Sequence, residues 1–113
     1  MQKKFRLTRS TDFKRVRQEG QSYAHPLLVL IVLENQQAST RIGVAAGKSV
    51  GNAVKRNRAK RLMRAAAQSL YPQIAAGYDI VLIARRPIIQ VKMPQVRTAL
   101  QELLQRANLL NDA

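Results

Sequence analysis

The chain has 113 residues, with 20 Lys and Arg against 6 Asp and Glu, a formal net charge of +14, 46% hydrophobic residues and no cysteine. That length fits one domain, and that apolar content supports a modest core rather than a disordered chain. The charge calls for a polyanionic partner, nucleic acid before an anionic membrane, and the absence of cysteine excludes disulfides and thiolate metal sites.

The basic N-terminus, Met1 to Arg9, lacks the apolar core of a secretory signal. The first helix is expected after Ser10-Thr11, with Asp12 near its positive end, Phe13 and Val16 buried and Gly20 as its stop. Tyr23-Ala24-His25-Pro26 then leads into Leu27 to Leu33, the longest apolar run. That run is too short to span a bilayer. It lacks alternation, as expected of a strand covered on both faces. Asn35 to Ser39 reads as a polar turn, and Arg41 to Ala46 as a partner strand. After Gly47 comes the basic helix described below. Tyr71-Pro72 and Ala75-Ala76-Gly77 mark a connection to a strand over Tyr78 to Ala84, ended by Pro87. A last helix begins with Pro94 at its first position, where a missing N–H costs nothing. Val96, Leu100, Leu103, Leu104 and Ala107 line its apolar face. The order α-β-β-α-β-α predicts an α+β sandwich, a small mixed sheet packed by helices. With no repeat or linker, residues 1–113 read as a single domain.

The stretch from Lys48 to Arg64 holds seven basic residues and no acid, and no Asp or Glu occurs between Glu34 and Asp79. Beyond Ala53 it contains neither Gly nor Pro, and its Ala, Lys, Arg, Leu and Met favour a helix. Gly51-Asn52 is expected to form the turn into it, with Asn52 as N-cap. Helical periodicity puts Arg56, Lys60 and Arg64 in one row, with Asn57, Arg61 and Gln68 in the next. Val54, Leu62, Ala66, Ser69 and Leu70 fall on another side, with Met63 at its margin. Like charges one turn apart repel, and a polyanion along the stripe would remove that cost. A solvated charged face usually mixes both signs; this one is entirely positive, which favours nucleic acid.

Protein-only nucleases use carboxylates for metal ions or histidines for acid–base chemistry. Here Asp12, Glu19, Glu34, Asp79, Glu102 and Asp112 are scattered without metal-binding spacing, so no catalytic residue, metal site or protein-bound cofactor is expected. His25, the single histidine, reads as a turn residue before a proline. Gly-rich dinucleotide and Walker patterns are absent. Phe13 reads equally as core or as a stacking platform, and Tyr23 as core or edge packing. Arg85 and Arg86 read as a solvated strand end.

Arg56-Asn57-Arg58 followed by Ala59-Lys60-Arg61-Leu62 resembles the signature of the bacterial ribonuclease P protein subunit. Arg6-Leu7, Asp12-Phe13-Lys14-Arg15-Val16, Arg41-Ile42-Gly43-Val44, Gly77-Tyr78-Asp79-Ile80-Val81 and Ala84-Arg85-Arg86-Pro87 resemble the family's other blocks, in the right order. The resemblance implies a left-handed crossover through the basic helix, against the usual right-handed rule. It implies a cytoplasmic subunit that binds the catalytic RNA and precursor tRNA, with no membrane and no obligate protein partner. Hydrolysis by the RNA with Mg²⁺ would release the mature 5′ end. Carried over by residue, Lys48, Ser49, Asn52, Arg56, Asn57, Arg58 and Arg61 would bind the RNA subunit. Phe13, Arg17, Ile31, Lys60 and Arg64 would hold the single-stranded 5′ leader, and Arg85 and Arg86 become candidate RNA contacts. Arg17 and Ile31 stand where many relatives carry aromatics, which implies less base stacking and more phosphate holding. The rivals are a structural, ribosomal-type RNA-binding protein and a DNA-architectural protein. Both explain the charge but not the ordered blocks. A peripheral membrane helix is disfavoured, because the apolar side is rich in Ala without Trp or Phe.

Overall fold

A computed structural model describes residues 2–111; Met1 and Asp112, both used above, lie outside them. Three α-helices, α1 (Ser10–Glu19), α2 (Ala53–Leu70) and α3 (Met93–Arg106), accompany four strands. The strands are β1 (Gln21–Ala24), β2 (Leu28–Glu34), β3 (Arg41–Ala45) and β4 (Tyr78–Ala84), joined in the order β1-β2-β4-β3. The two most apolar strands, β2 and β4, lie side by side in the middle, antiparallel, with Leu30 opposite Leu82. Both of their faces need cover, which a central position provides.

Strand alternation divides that cover. Leu28, Leu30, Ile42, Val44, Ile80, Leu82 and Ala84 face the larger core, shared with Ala59, Met63, Ala66 and Leu70 of α2 and Val96, Leu100, Leu103 and Leu104 of α3. Ile31 and Val81 face the other way, into a smaller cluster with Leu7 and Val16, flanked by Phe13, Val29, Leu33 and Ile83. So α1 covers one face of the sheet while α2 and α3 cover the other, the expected sandwich.

The pairing of β3 departs from its reading as a partner of the preceding strand and follows the crossover through the basic helix that the resemblance implies. Its partner is β4, in parallel register with Ile42 opposite Ile80, and not the preceding strand β2. Residues 35–40 are no hairpin: they pass the end of β4, where the Asn35 amide donates to the Gly77 carbonyl at 2.9 Å. α2 therefore connects adjacent parallel strands in a βαβ unit. The fourth strand, β1, was not foreseen; it pairs antiparallel with β2 at the sheet edge, its short, mostly polar sequence carrying little strand signal. α1 begins at Ser10 itself, and Pro94 takes the second rather than first position of α3. Gly20 does end α1, because a Cβ there would lie 2.5 Å from the Val16 carbonyl and 2.7 Å from that of Val32.

The buried stripe of α2 also differs from the periodicity reading. It runs through Ala59, Met63, Ala66, Ala67 and Leu70, whereas Ser69 is exposed and Val54 is 74% exposed. Val54 lies opposite Met63 on the helix, so its apolar side chain finds no core to join.

Among the described residues, one acid is wholly buried. The Asp79 carboxylate, on the α1 face of β4, accepts from Arg41 Nε at 2.9 Å and Arg41 Nη2 at 2.7 Å, from Asn35 Nδ2 at 3.0 Å, and from Arg15 of α1. Burial alone would raise its pKa; the hydrogen bonds from Arg41, Asn35 and Arg15, with the charge of Arg41, outweigh burial and hold it below the usual carboxylate value. A depressed carboxylate stabilises the fold fully above its unfolded pKa, about 4, and this is lost as pH falls through the lower folded value. Asp79→Asn is expected to cost about 3 kcal/mol, the low end for a broken buried pair because both arginines keep contact with water. Urea titrations from neutral pH to pH 2 should show the loss of wild-type stability below about pH 4 flattened in the variant.

Candidate RNA-binding site

Burial of one stripe of α2 leaves its cations pointing in three directions. On the flank toward α3, Arg58 donates to the carbonyls of Ile89 at 3.0 Å and Val91 at 3.1 Å, which belong to the turn after β4. Asn57 and Arg61 stand exposed on the crest, beside Val54. Lys60 and Arg64, half-buried, occupy the opposite flank. Arg56 begins that row, but its guanidinium turns back to the Gly51 carbonyl at 3.1 Å.

At the start of α2 the expected cap is present: Asn52 Oδ1 accepts the Lys55 amide at 3.0 Å. Gly51, at φ 138°, makes the turn that L side chains resist. Before it, Lys48–Val50 form a single 3-10 turn with Lys48 and Ser49 exposed. Ser49 shares a depression with His25, Pro26, Arg85, Arg86 and Pro87. His25 serves as the turn residue that was expected: its Nδ1 accepts the Leu27 amide at 3.0 Å, and its Nε2 lies 3.5 Å from Glu102. Of the residues assigned to the RNA subunit, Ser49 thus lies beside Arg85 and Arg86, while those of α2 point in different directions. Within that group, Asn52, Arg56 and Arg58 already have acceptors or donors inside the protein, while Lys48, Ser49, Asn57 and Arg61 present their side chains to solvent.

The residues assigned to the leader are only partly brought together. Phe13 of α1 and Arg64 of α2 line one cleft beside β3, with Arg6, Leu7, Thr8, Ile42, Gly43 and Val44. The Phe13 ring rests on the backbone of Gly43, where a Cβ would come within 2.4 Å of its Cζ. Half-buried there, it is both core and cleft wall. Arg17 lies in a neighbouring depression that Phe13 also lines, with Lys14 and Gln18. Ile31 is elsewhere: at 5% exposure it packs beneath α1 in the smaller core, so its side chain reaches no groove.

Sequence reading missed Arg6, Thr8 and Gly43 as cleft residues. The N-terminal segment reaches the cleft by running parallel to β3, with the Leu7 amide donating to the Ile42 carbonyl at 2.9 Å. Leu7 is buried and Phe5 packs on Tyr71, ring centroids 4.9 Å apart. The apolar residues on either side of Arg6 were the available signal. Among the described residues no group of three or more acidic or histidine side chains is placed to hold a metal ion. No described helix is long and apolar enough to cross a membrane.

Comparison with known proteins bears on this arrangement. The family model Ribonuclease P matches residues 1–108. The ribonuclease P protein component of Herpetosiphon aurantiacus is 41% identical, over 99% of this chain and 91% of the relative. The RNase P protein of Staphylococcus aureus superposes with a TM-score of 0.84 at 30% identity, covering 95% of this chain and 98% of that one. The RNase P protein of Thermotoga maritima gives a TM-score of 0.80 at 30% identity, over 89% and 96%.

The different surroundings of Arg58 and Arg61 predict different effects on stability. Arg58→Ala removes two charge-assisted bonds and leaves two carbonyls unpaired, and should cost about 1–3 kcal/mol. Arg61→Ala, on the exposed crest, should stay within about 0.5 kcal/mol of wild type. Urea unfolding of the two variants at neutral pH measures the difference.

Proposed function

The chain belongs to the ribonuclease P protein family, as a subunit of the tRNA-processing endoribonuclease, and from that premise we propose how its surfaces divide the work. Residues 1–113 act as a single RNA-binding domain. Lys48, Ser49, Asn57 and Arg61, with Arg85 and Arg86, bind the catalytic RNA. The cleft lined by Phe13 and Arg64, with Lys60 one turn before Arg64, holds the 5′ leader of precursor tRNA, and Arg17 extends it along α1. The observation that supports this division is the three-way splay of the α2 cations, with Lys60 and Arg64 on the flank away from Arg58 and toward the cleft.

The protein's own groups do not fit a catalytic metal ion. Metal-assisted hydrolysis needs carboxylates free to ligate. Asp79, the one buried carboxylate among the described residues, is taken up by Arg15 and Arg41. Mg²⁺ is therefore assigned to the RNA subunit, which performs the hydrolysis in the cytoplasm. The protein contributes binding and charge neutralisation: each leader phosphate it neutralises releases counterions, so affinity falls steeply with salt. Membership of the family sets aside the ribosomal and DNA-architectural rivals.

Purified protein alone should leave precursor tRNA intact, and adding it to a bacterial ribonuclease P RNA at low Mg²⁺ should yield 5′ cleavage. In that holoenzyme, Lys60→Ala and Arg64→Ala should each weaken precursor tRNA by on the order of 1 kcal/mol while sparing leaderless tRNA, since each removes a partly solvated phosphate contact. Arg61→Ala should instead weaken assembly with the RNA and affect both substrates alike. Equal losses for both tRNAs in the Lys60 and Arg64 variants would refute the leader assignment.

A further inference from the structure

Most half-buried arginines in this protein have an acceptor. Seven are half-buried: Arg6, Arg15, Arg41, Arg56, Arg58, Arg64 and Arg97. Arg15 and Arg41 bond Asp79, Arg56 and Arg58 bond main-chain carbonyls, and Arg97 Nε donates to Ser69 Oγ at 3.0 Å. The side chains of Arg6 and Arg64 have no such acceptor among the described residues.

These two share one cleft, and no acid lines it. They sense each other: burial first, and then the charge of Arg6, lowers the pKa of Arg64 from its usual value. Placing two guanidinium groups in one cleft, partly withdrawn from water, costs free energy unless an anion joins them. Arg6 is also not free to swing away. Its backbone is pinned to β3, with Leu7 buried on one side and Phe5 packed on Tyr71 on the other. The bare backbone of Gly43 forms the cleft floor, and the Phe13 ring stands beside it.

We propose that Arg6 and Arg64 form a phosphate subsite that clamps one phosphodiester of the single-stranded leader, with the adjoining nucleotide against Phe13. This rests on the assignment of the cleft to the leader. Recognition is of backbone charge, since guanidinium forks match phosphate geometry without reading a base. Arg6 thereby becomes a leader-binding residue contributed by the N-terminal segment rather than by α1 or α2.

The test uses holoenzyme reconstituted with a bacterial ribonuclease P RNA, binding precursor tRNA and matched leaderless tRNA. Arg6→Ala should weaken the leader-bearing substrate about fivefold and leave the leaderless one unchanged, with the salt slope reduced by about 0.7. Arg6→Lys, which keeps the charge, should recover part of the loss. Arg6→Ala with Arg64→Ala should lose less than the product of the single effects, because both act on one phosphate. A neutral methylphosphonate stepped along the leader should find one position at which Arg6→Ala has no further effect. If Lys60→Ala and Arg64→Ala discriminate the two tRNAs but Arg6→Ala does not, the subsite is wrong and the leader cleft stands. If none of the three discriminates, both are wrong. Equal weakening of both tRNAs by Arg6→Ala also overturns the subsite.

Discussion

The rest of the structure depends on one carboxylate. Asp79 is wholly buried in a chain of net charge +14, and it joins three parts that are distant in sequence: Arg15 in α1, Arg41 in β3 and Asn35 in the connection between β2 and β3. Asp12 extends the network, 3.6 Å from Arg15 and 3.9 Å from Arg41. Removing either charge alone would strand the other in a poorly solvated place, so the network resists piecemeal change. Its geometric effect is to fix α1 against β3. That same contact seats Phe13 on Gly43 and sets the width of the cleft between α1 and α2.

Arginine serves two purposes here, distinguished by what its donors meet. Arg15, Arg41, Arg56, Arg58 and Arg97 find acceptors within the protein and join elements that hydrophobic contact alone would leave loosely oriented. Arg58 is the clearest case, since it ties α2 to the turn carrying Arg86 and so holds the exposed basic groups of Lys48–Val50 and of that turn near one another. Arg106 likewise donates to the Ala24 carbonyl at 2.9 Å, whereas Lys48 and Arg61 present their side chains to solvent. A basic surface kept free of acids pays a repulsive cost in the isolated protein, and a bound polyanion relieves it.

The sandwich explains how one helix can present two separate basic surfaces. Because α2 buries the stripe through Met63 and Leu70, its flanks face different neighbours: α3 and the turn after β4 on one side, the cleft beside β3 and the N-terminal segment on the other. Rigid attachment through that stripe keeps the two surfaces in a fixed relation. A shift of α2 would then be felt on both surfaces together.

Much of this was legible in the chain itself. The acid-free run from Lys48 to Arg64, its Asn52 cap and the resemblance to ribonuclease P proteins are local properties, fixed by residue type and order. So were the two central strands, since uninterrupted apolar runs have to be covered on both faces. What tertiary structure decided was which neighbours those elements acquired. The pairing of β3 with β4 instead of β2 depends on a connection passing the end of another strand, which no local signal records. Val54 is exposed and Ile31 buried because the orientation of α2 and the seating of α1 were set by the whole core. Arg58 became an anchor and Arg6 a cleft residue for the same reason: an arginine's role follows from the acceptors brought within its reach, and only the folded chain supplies those.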